Sequence, residues 1–361
     1  MAVKKPNVDP AHEETEKILS DCEKRIKKEY EKAVTELQGT IDDYFRRFEL
    51  KDKKWREWVA DGTKTAEEYK QWRIGQMAVG DRWKSLQNTI ATDLANTEMI
   101  AKSIAKGYMP EVYAVNFNYG TYEVEHLGGV DTGFTLYNRE AVERIVRENP
   151  DILPSPGKKV SQAIAEGKAV RWNKQVVQST MIQGILQGES IPKLAKRLAK
   201  DVADKDYKAS IRNARTMATS TQNAGRYDAY RRAEEKGIEI DVLWRATLDN
   251  RTRHSHRQLD GQRRPLDEPF EVDGFKILYP GQLKQNEETD FPQSMIWNCR
   301  CTLRGIVKGL EPRAIKFRDM SAINNDYEAW KKGKSVSEPI TAQAEKGEAI
   351  AESYRRKYRK K

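Results

Sequence analysis

Between residues 13 and 50 the apolar side chains fall three or four positions apart throughout: Ile18, Cys22, Ile26, Tyr30, Ala33, Leu37, Ile41, Tyr44 and Phe48. That spacing puts them on one stripe of a helix whose other faces are charged. A helix this long and this polar elsewhere is held only by laying its stripe on a partner. A second stripe offers one, with Tyr69, Trp72, Val79, Trp83, Leu86, Ile90, Leu94 and Ile104 interrupted by Gly75 and Gly80, where a break or kink is expected. The simplest packing is an antiparallel pair joined near Asp61-Gly62. Trp55, Trp58, Trp72 and Trp83 are expected in its core, and Cys22 is expected to be a plain buried thiol.

Beyond Tyr108 the pattern changes. The stretch from Met109 to Val124 is rich in aromatics, Val and Asn, and reads as extended chain or a short hairpin. A short helix is expected over 138–149. The segment Asn149-Pro-Asp-Ile-Leu-Pro-Ser-Pro-Gly157 has the composition of a linker. Helices follow: one with a stripe of Trp172, Val176, Ser179, Ile182, Ile185 and Leu186, one capped by Ser190 with Pro192 in its first turn, and one over 206–235 stopped at Lys236-Gly237. From Ile238 the chain turns α+β. A strand alternates at Ile240, Val242, Trp244 and Ala246, a short helix covers roughly 251–259, a hairpin turns at Asp273-Gly274, and a strand closes at 301–307.

The fold class read from this is α+β, mainly helical: an antiparallel long-helix module followed by a helical and small-sheet module. The expected divisions are a helical module over 1–107, an extended connector over 108–148, a linker over 149–160, a second module over 161–308, and a charged arm over 309–361.

Charge narrows the function. Lys and Arg exceed Asp and Glu by ten, and the excess is local. Residues 168–232 hold fourteen basic and five acidic side chains, and the last eight residues hold six basic and none acidic. Localised positive charge attracts polyanions without reading bases. The candidate nucleic-acid contacts are Arg212, Arg215, Arg226, Arg231 and Arg232 on the third helix, and Arg355, Arg356, Lys357, Arg359, Lys360 and Lys361 in the tail; the bland alternative is a solvated helix face and a frayed tail. No run of roughly 18 apolar residues exists and no apolar run follows Lys4 and Lys5, so neither a transmembrane span nor a secretory signal is expected. Three cysteines fit a reducing compartment. Gly-rich phosphate loops do not occur.

One constellation is dense in metal-capable groups: Asp249-Asn-Arg-Thr-Arg-His-Ser-His256 and Asn298-Cys-Arg-Cys301. On a strand Cys299 and Cys301 share a face while Arg300 points away, and two thiolates on one face suit zinc. His256 is the candidate third ligand, with Asp249 or His254 as fourth; the alternative is a satisfied histidine and two buried thiols. If a position stays open, such a zinc activates water, with Asp249 or Asp260 as base, giving a metal-assisted hydrolase or nuclease as the second functional reading. A second enzyme pattern, Arg215, Thr219-Ser-Thr221 and Glu239, echoes ADP-ribosyltransferases but fails, because Ile240-Asp241 follows Glu239 and Thr219–Thr221 fall in a helix.

Several runs together resemble a known family: Ile211-Arg-Asn-Ala-Arg-Thr216, Asn223-Ala-Gly-Arg226, Trp244-Arg-Ala-Thr-Leu-Asp-Asn-Arg-Thr-Arg253, His256, Leu259-Asp-Gly-Gln262, Asp267-Glu-Pro-Phe270, Tyr279-Pro-Gly281 and Asn298-Cys-Arg-Cys301. They are similar to the head-morphogenesis domain of phage Mu F-type minor head proteins. Segments such as Pro110–Val124 and Gln183–Pro192 are similar to minor capsid proteins of tailed phages and Gram-positive prophages. The resemblance covers roughly 65–308. It implies a virion protein without established enzymatic activity, inside the phage head and, during assembly, in the host cytoplasm. Its implied partners are the portal protein, the major capsid or scaffolding protein and, non-specifically, phage DNA, with no membrane during assembly. The family pattern falls on Arg215, Asn223, Arg226, Asp249, Arg251, Thr252, Arg253, His256, Asp260, Gly261, Asn298, Cys299 and Cys301; it leaves the metal question open, and zinc is the candidate cofactor through the donor chemistry above.

Overall fold

The expected long stripe folds as α1, Pro10–Arg46, and the chain bends into α2, Glu49–Ala60. The computed structural model describes residues 9–130, 132–148, 162–282, 293–309 and 320–335. The order continues through α3 (Ala66–Met77), α4 (Asp81–Tyr122), a π-helical turn (Glu123–Leu127), α5 (Arg139–Glu148), α6 (Gln162–Leu186), α7 (Ile191–Glu234), β1 (Ile240–Arg245), α8 (His254–Leu259), β2 (Arg263–Pro265), β3 (Phe270–Val272), β4 (Phe275–Ile277), α9 (Gln293–Ile296), β5 (Thr302–Val307) and α10 (Met320–Lys332). The linker expected over 149–160 and the basic tail lie outside the described residues.

Two compact units result, and neither is continuous in sequence. One comprises 1–23, 104–158 and 212–349; the other comprises 24–103, 159–211 and 350–361. The divisions read from composition do not coincide with these units, because α1, α4 and α7 each contribute residues to both.

The second unit is an assembly of helices. From α1 it buries Ile26, Tyr30, Ala33, Leu37, Ile41 and Tyr44, and from α4 Trp83, Leu86, Ile90 and Leu94. The break expected at Gly80 is present (φ 92°), and Gly62 turns the chain after α2 (φ 79°). Gly75, in contrast, stays inside α3. Of the four tryptophans expected in the core only Trp83 is buried. Trp55, Tyr69 and Trp72 stack on one another with centroids 5.5–6.3 Å apart at the margin, and Trp58 is 38% exposed. They cover a buried polar pair in which Asp52 accepts from Tyr69 at 2.7 Å and lies 3.4 Å from Arg73. The stripe on α6 is read in part: Ile185 is buried as expected, but Asn173, Val177 and Met181 are buried where Trp172, Val176 and Ile182 were expected, and Trp172 and Leu186 face solvent. Gly184 is the reason, since a Cβ there would meet Leu194 at 2.4 Å, so its face is the one in contact.

In the first unit, three helical segments form the centre. Antiparallel α1 and α4 are tied by Asn116 to Thr15 (2.8 Å) and by Tyr108 to Asp21. The expectation of extended chain over 109–124 is overturned: the stretch is the end of α4 and the π turn. Val112, Tyr113, Asn116, Phe117, Tyr119, Tyr122 and Val124 are all buried, so burial on nearly every side overrides the strand preference of Val, Phe and Tyr. Pro110 sits within the helix rather than ending it. The α4–α7 contact is close because Gly225 has no side chain; a Cβ there would stand 2.7 Å from the Tyr113 carbonyl oxygen.

Against α7 lies a three-stranded antiparallel sheet, β2-β1-β5, and a β3-β4 hairpin. The alternation read for β1 is present, with Ile240, Val242 and Trp244 buried and their neighbours half-exposed. Its register pairs Ile240 with Val307 and Arg245 with Thr302. The hairpin turns where expected, with Asp273 and Gly274 both at positive φ (52° and 79°), as a two-residue primed turn requires.

Candidate metal centre

The arrangement starts with a tight turn. Asp249 accepts from the Arg251 amide at 2.9 Å, Thr252 donates to the Thr247 carbonyl, and Arg300 grips the Asp249 carboxylate with two bonds of 2.7 and 2.8 Å. The Arg300 hydrogen bonds, opposed by partial desolvation, hold that carboxyl well below the usual range. The turn leads into α8, whose helical twist separates its two histidines. His254 faces solvent and His256 is buried.

His256 meets the two cysteines before β5. Its Nδ1 lies 3.4 Å from Cys301 Sγ and 3.6 Å from Cys299 Sγ, and the three donor atoms lie within 4.8 Å of one another. All three residues are at most 3% exposed. The Cys301 amide donates to Cys299 Sγ at 3.4 Å, and the Trp244 ring stands edge-on to the imidazole at 5.9 Å. A hydrogen bond from Cys301 and the adjacent imidazole, against the cost of burial, push the Cys299 thiol well down; Cys301, sharing the proton with an ionised neighbour and buried, is pushed up. The site therefore favours at least one thiolate.

The structure brings His256, Cys299 and Cys301 together as the sequence suggested. It does not bring in either candidate fourth ligand, because Asp249 is engaged by Arg300 and His254 points outward. Asp260, the other candidate base, accepts the Ala246 amide at 2.8 Å and acts as a turn anchor.

What sequence reasoning missed is how the loop carrying the cysteines is held. Arg253 donates to the Trp297 carbonyl (2.6 Å), Thr219 to that of Cys299, Thr247 to that of Arg300 (2.8 Å), Asn223 to that of Cys301 (3.0 Å), and Arg226 to that of Leu303 (3.1 Å). Asn223 also donates to the Pro280 carbonyl and accepts the Leu303 amide at 2.8 Å. Only the family pattern had singled out Asn223. Asn298, at φ 53°, makes the sharp bend that turns both thiols inward.

The arginines of α7 divide sharply. Arg226 is fully buried: desolvation opposes its charge, and the paired Asp9 carboxylate, at 2.6 and 2.9 Å, restores it. Burial likewise weighs on Asp9, yet Arg226 holds its carboxyl low. Arg215 pairs with Glu23 at 2.6 Å and Arg212 lies over the Trp297 ring at 4.5 Å. Only Arg231 and Arg232 of the five are exposed, and Arg232 packs on Phe117 and Tyr137. Of the five expected DNA-contacting arginines, Arg226 is thus an internal tie, since a charge neutralised at 1% exposure presents nothing to a phosphate, whereas Arg215 keeps 36% of its side chain exposed beside Glu23.

Comparison with known proteins follows the same residues. Residues 175–304 match the family described as Phage Mu protein F like protein. The chain is 27% identical over 237 residues to an NAD(+)–arginine ADP-ribosyltransferase of Enterococcus faecalis, covering 65% of this chain and 45% of that protein. It is 25% identical over 325 residues to the minor head protein of Bacillus phage SPP1, covering 89% of this chain and 95% of that protein. The chain therefore spans less than half of the first relative and nearly all of the second. No solved structure matches it.

Proposed function

From the premise that residues 175–304 form a Phage Mu protein F-like region, we propose that this chain is a minor capsid protein of a phage head, acting in head assembly as a docking protein rather than as a catalyst. The observation that carries the reading is the end-to-end similarity to a minor head protein, covering 95% of that relative. Two features support the absence of catalysis. The His–Cys–Cys cluster is closed to solvent, whereas a water-activating metal needs an open position. The similarity to the ADP-ribosyltransferase covers under half of that protein, and the residues that echo transferases do not form their pattern here: Thr219–Thr221 are buried within α7, and no Glu-x-Glu starts at Glu239.

In this reading the portal and the inner capsid are the docking partners, and DNA is held by charge alone. Exposed basic side chains include Lys196, Lys200 and Lys205 of α7, Arg171 of α6, and Arg231 and Arg232 further along α7. Non-specific phosphate contacts weaken steeply as salt rises. The test is DNA binding by the full chain, read by fluorescence anisotropy on two unrelated duplexes over a salt series, beside co-purification with the portal protein encoded in the same genome. Equal affinity for both duplexes, a steep salt slope that falls by about one per lysine in Lys196→Glu and Lys200→Glu, and portal retention are expected. A chain that ignores both DNA and portal overturns the proposal.

A further inference from the structure

We propose that His256, Cys299 and Cys301 bind one zinc ion as a closed structural centre that joins α8 to the start of β5. The inference rests on the geometry of the cluster and not on the capsid reading.

Donor chemistry is the first ground. Two sulfurs and an imidazole nitrogen converge from two elements 43 and 45 residues apart, each atom within 4.8 Å of the others. That is a soft donor set, which selects zinc over the hard cations that prefer oxygen. Charge is the second. Two thiolates and a divalent cation sum to neutral, so a buried centre of this composition avoids isolated ionic charge. The Cys301 amide already donates to Cys299 Sγ, as a sulfur carrying negative charge needs.

Preorganisation is the third ground. Arg253, Thr219, Thr247 and Asn223 fix the carbonyls of Trp297, Cys299, Arg300 and Cys301. Two packed thiols need no such scaffold, whereas ligands must stand at fixed distances from a metal. The burial of all three ligands closes the centre to substrate.

The experiment uses the full chain, expressed with zinc and purified without chelator. Elemental analysis is expected to find close to one zinc per chain, and close to none in a Cys299→Ser/Cys301→Ser double variant, while Cys22→Ser keeps its metal. Should the double variant not fold, the wild-type chain decides the matter. Stripped of metal and given equimolar cobalt(II), it should develop a thiolate-to-cobalt absorption band, reduced by about half when one cysteine is absent. Folded wild-type protein that carries no stoichiometric metal and shows no such band overturns the proposal. Zinc accompanied by plasmid nicking that His256→Ala abolishes overturns the closed structural role. Failure of the portal or DNA experiments leaves this result untouched, and the two readings therefore fail separately.

Discussion

The two units are built by different means. The helical unit of 24–103 and 159–211 is ordered by apolar stripes, with polar burial confined to a few pairs such as Tyr30 with Asp206 and Ser210. The unit holding the cysteines has an apolar core too, around Tyr230, Val242, Trp244, Phe270 and Leu303, but adds to it many side chains that bond to backbone. Asn223 serves four main-chain groups, and Arg226 serves a carbonyl, an asparagine and a carboxylate. Apolar stripes tolerate exchange of one hydrophobe for another, whereas a buried amide with four specified partners has no substitute. A motif of scattered polar residues is therefore what the second kind of construction leaves in a sequence.

The sharpest way to break this contrast is Asn223→Leu. It orphans the Pro280 and Cys301 carbonyls and the Leu303 amide, and should destabilise the protein by on the order of 4 kcal/mol or more, read by chemical denaturation. A loss no greater than that of an ordinary surface change would refute the backbone-tie account. Arg226→Met comes next, at about 3 kcal/mol, at the low end for a broken buried pair because Asp9 keeps 20% exposure. Adding Asp9→Asn should recover part of that loss; strict additivity in the cycle would mean that the two residues do not act as a pair.

A third measurement sharpens the other side of the comparison. Burial, with help from the nearby Glu98 charge, pushes the Asp206 carboxyl up to about 8 from 3.8. Between those values the folded chain holds more proton than the unfolded one, so this group's contribution to stability declines as pH rises through the window. Asp206→Asn should flatten that decline between pH 5 and pH 8; parallel pH profiles for the two proteins would rule the assignment out. The smallest effect is expected for Leu37→Met, below about 1.5 kcal/mol, because a stripe asks only for volume and apolarity. A cost as large as that of Asn223→Leu would erase the distinction between the units.

Legibility in the sequence followed the same division. The period of α1, the alternation of β1 and the Asp273-Gly274 turn depend on local spacing and could be read, whereas the grouping of His256 with Cys299 and Cys301 was suggested by donor chemistry and the family pattern. The end of α4 could not, because local preference favoured a strand and only encirclement by other elements makes it helical. The face of α6 was read only in part, with Ile185 right and Trp172 wrong, because the deciding feature is a side chain Gly184 lacks. The neutralisation of Arg226 was invisible for another reason. Its counterion, Asp9, is 217 residues away, and nothing about either residue's neighbours announces the other.

That distance bears on how the molecule comes into being. Asp9 leaves the ribosome 217 residues before Arg226, and the Leu303 carbonyl that Arg226 also holds comes later still. The Asp9 carboxylate therefore waits for its counterion until the end of α7 has been made. A chain aborted before that point keeps Asp9 without its buried partner, so its fragments stay more open to proteases than chains that have reached Leu303.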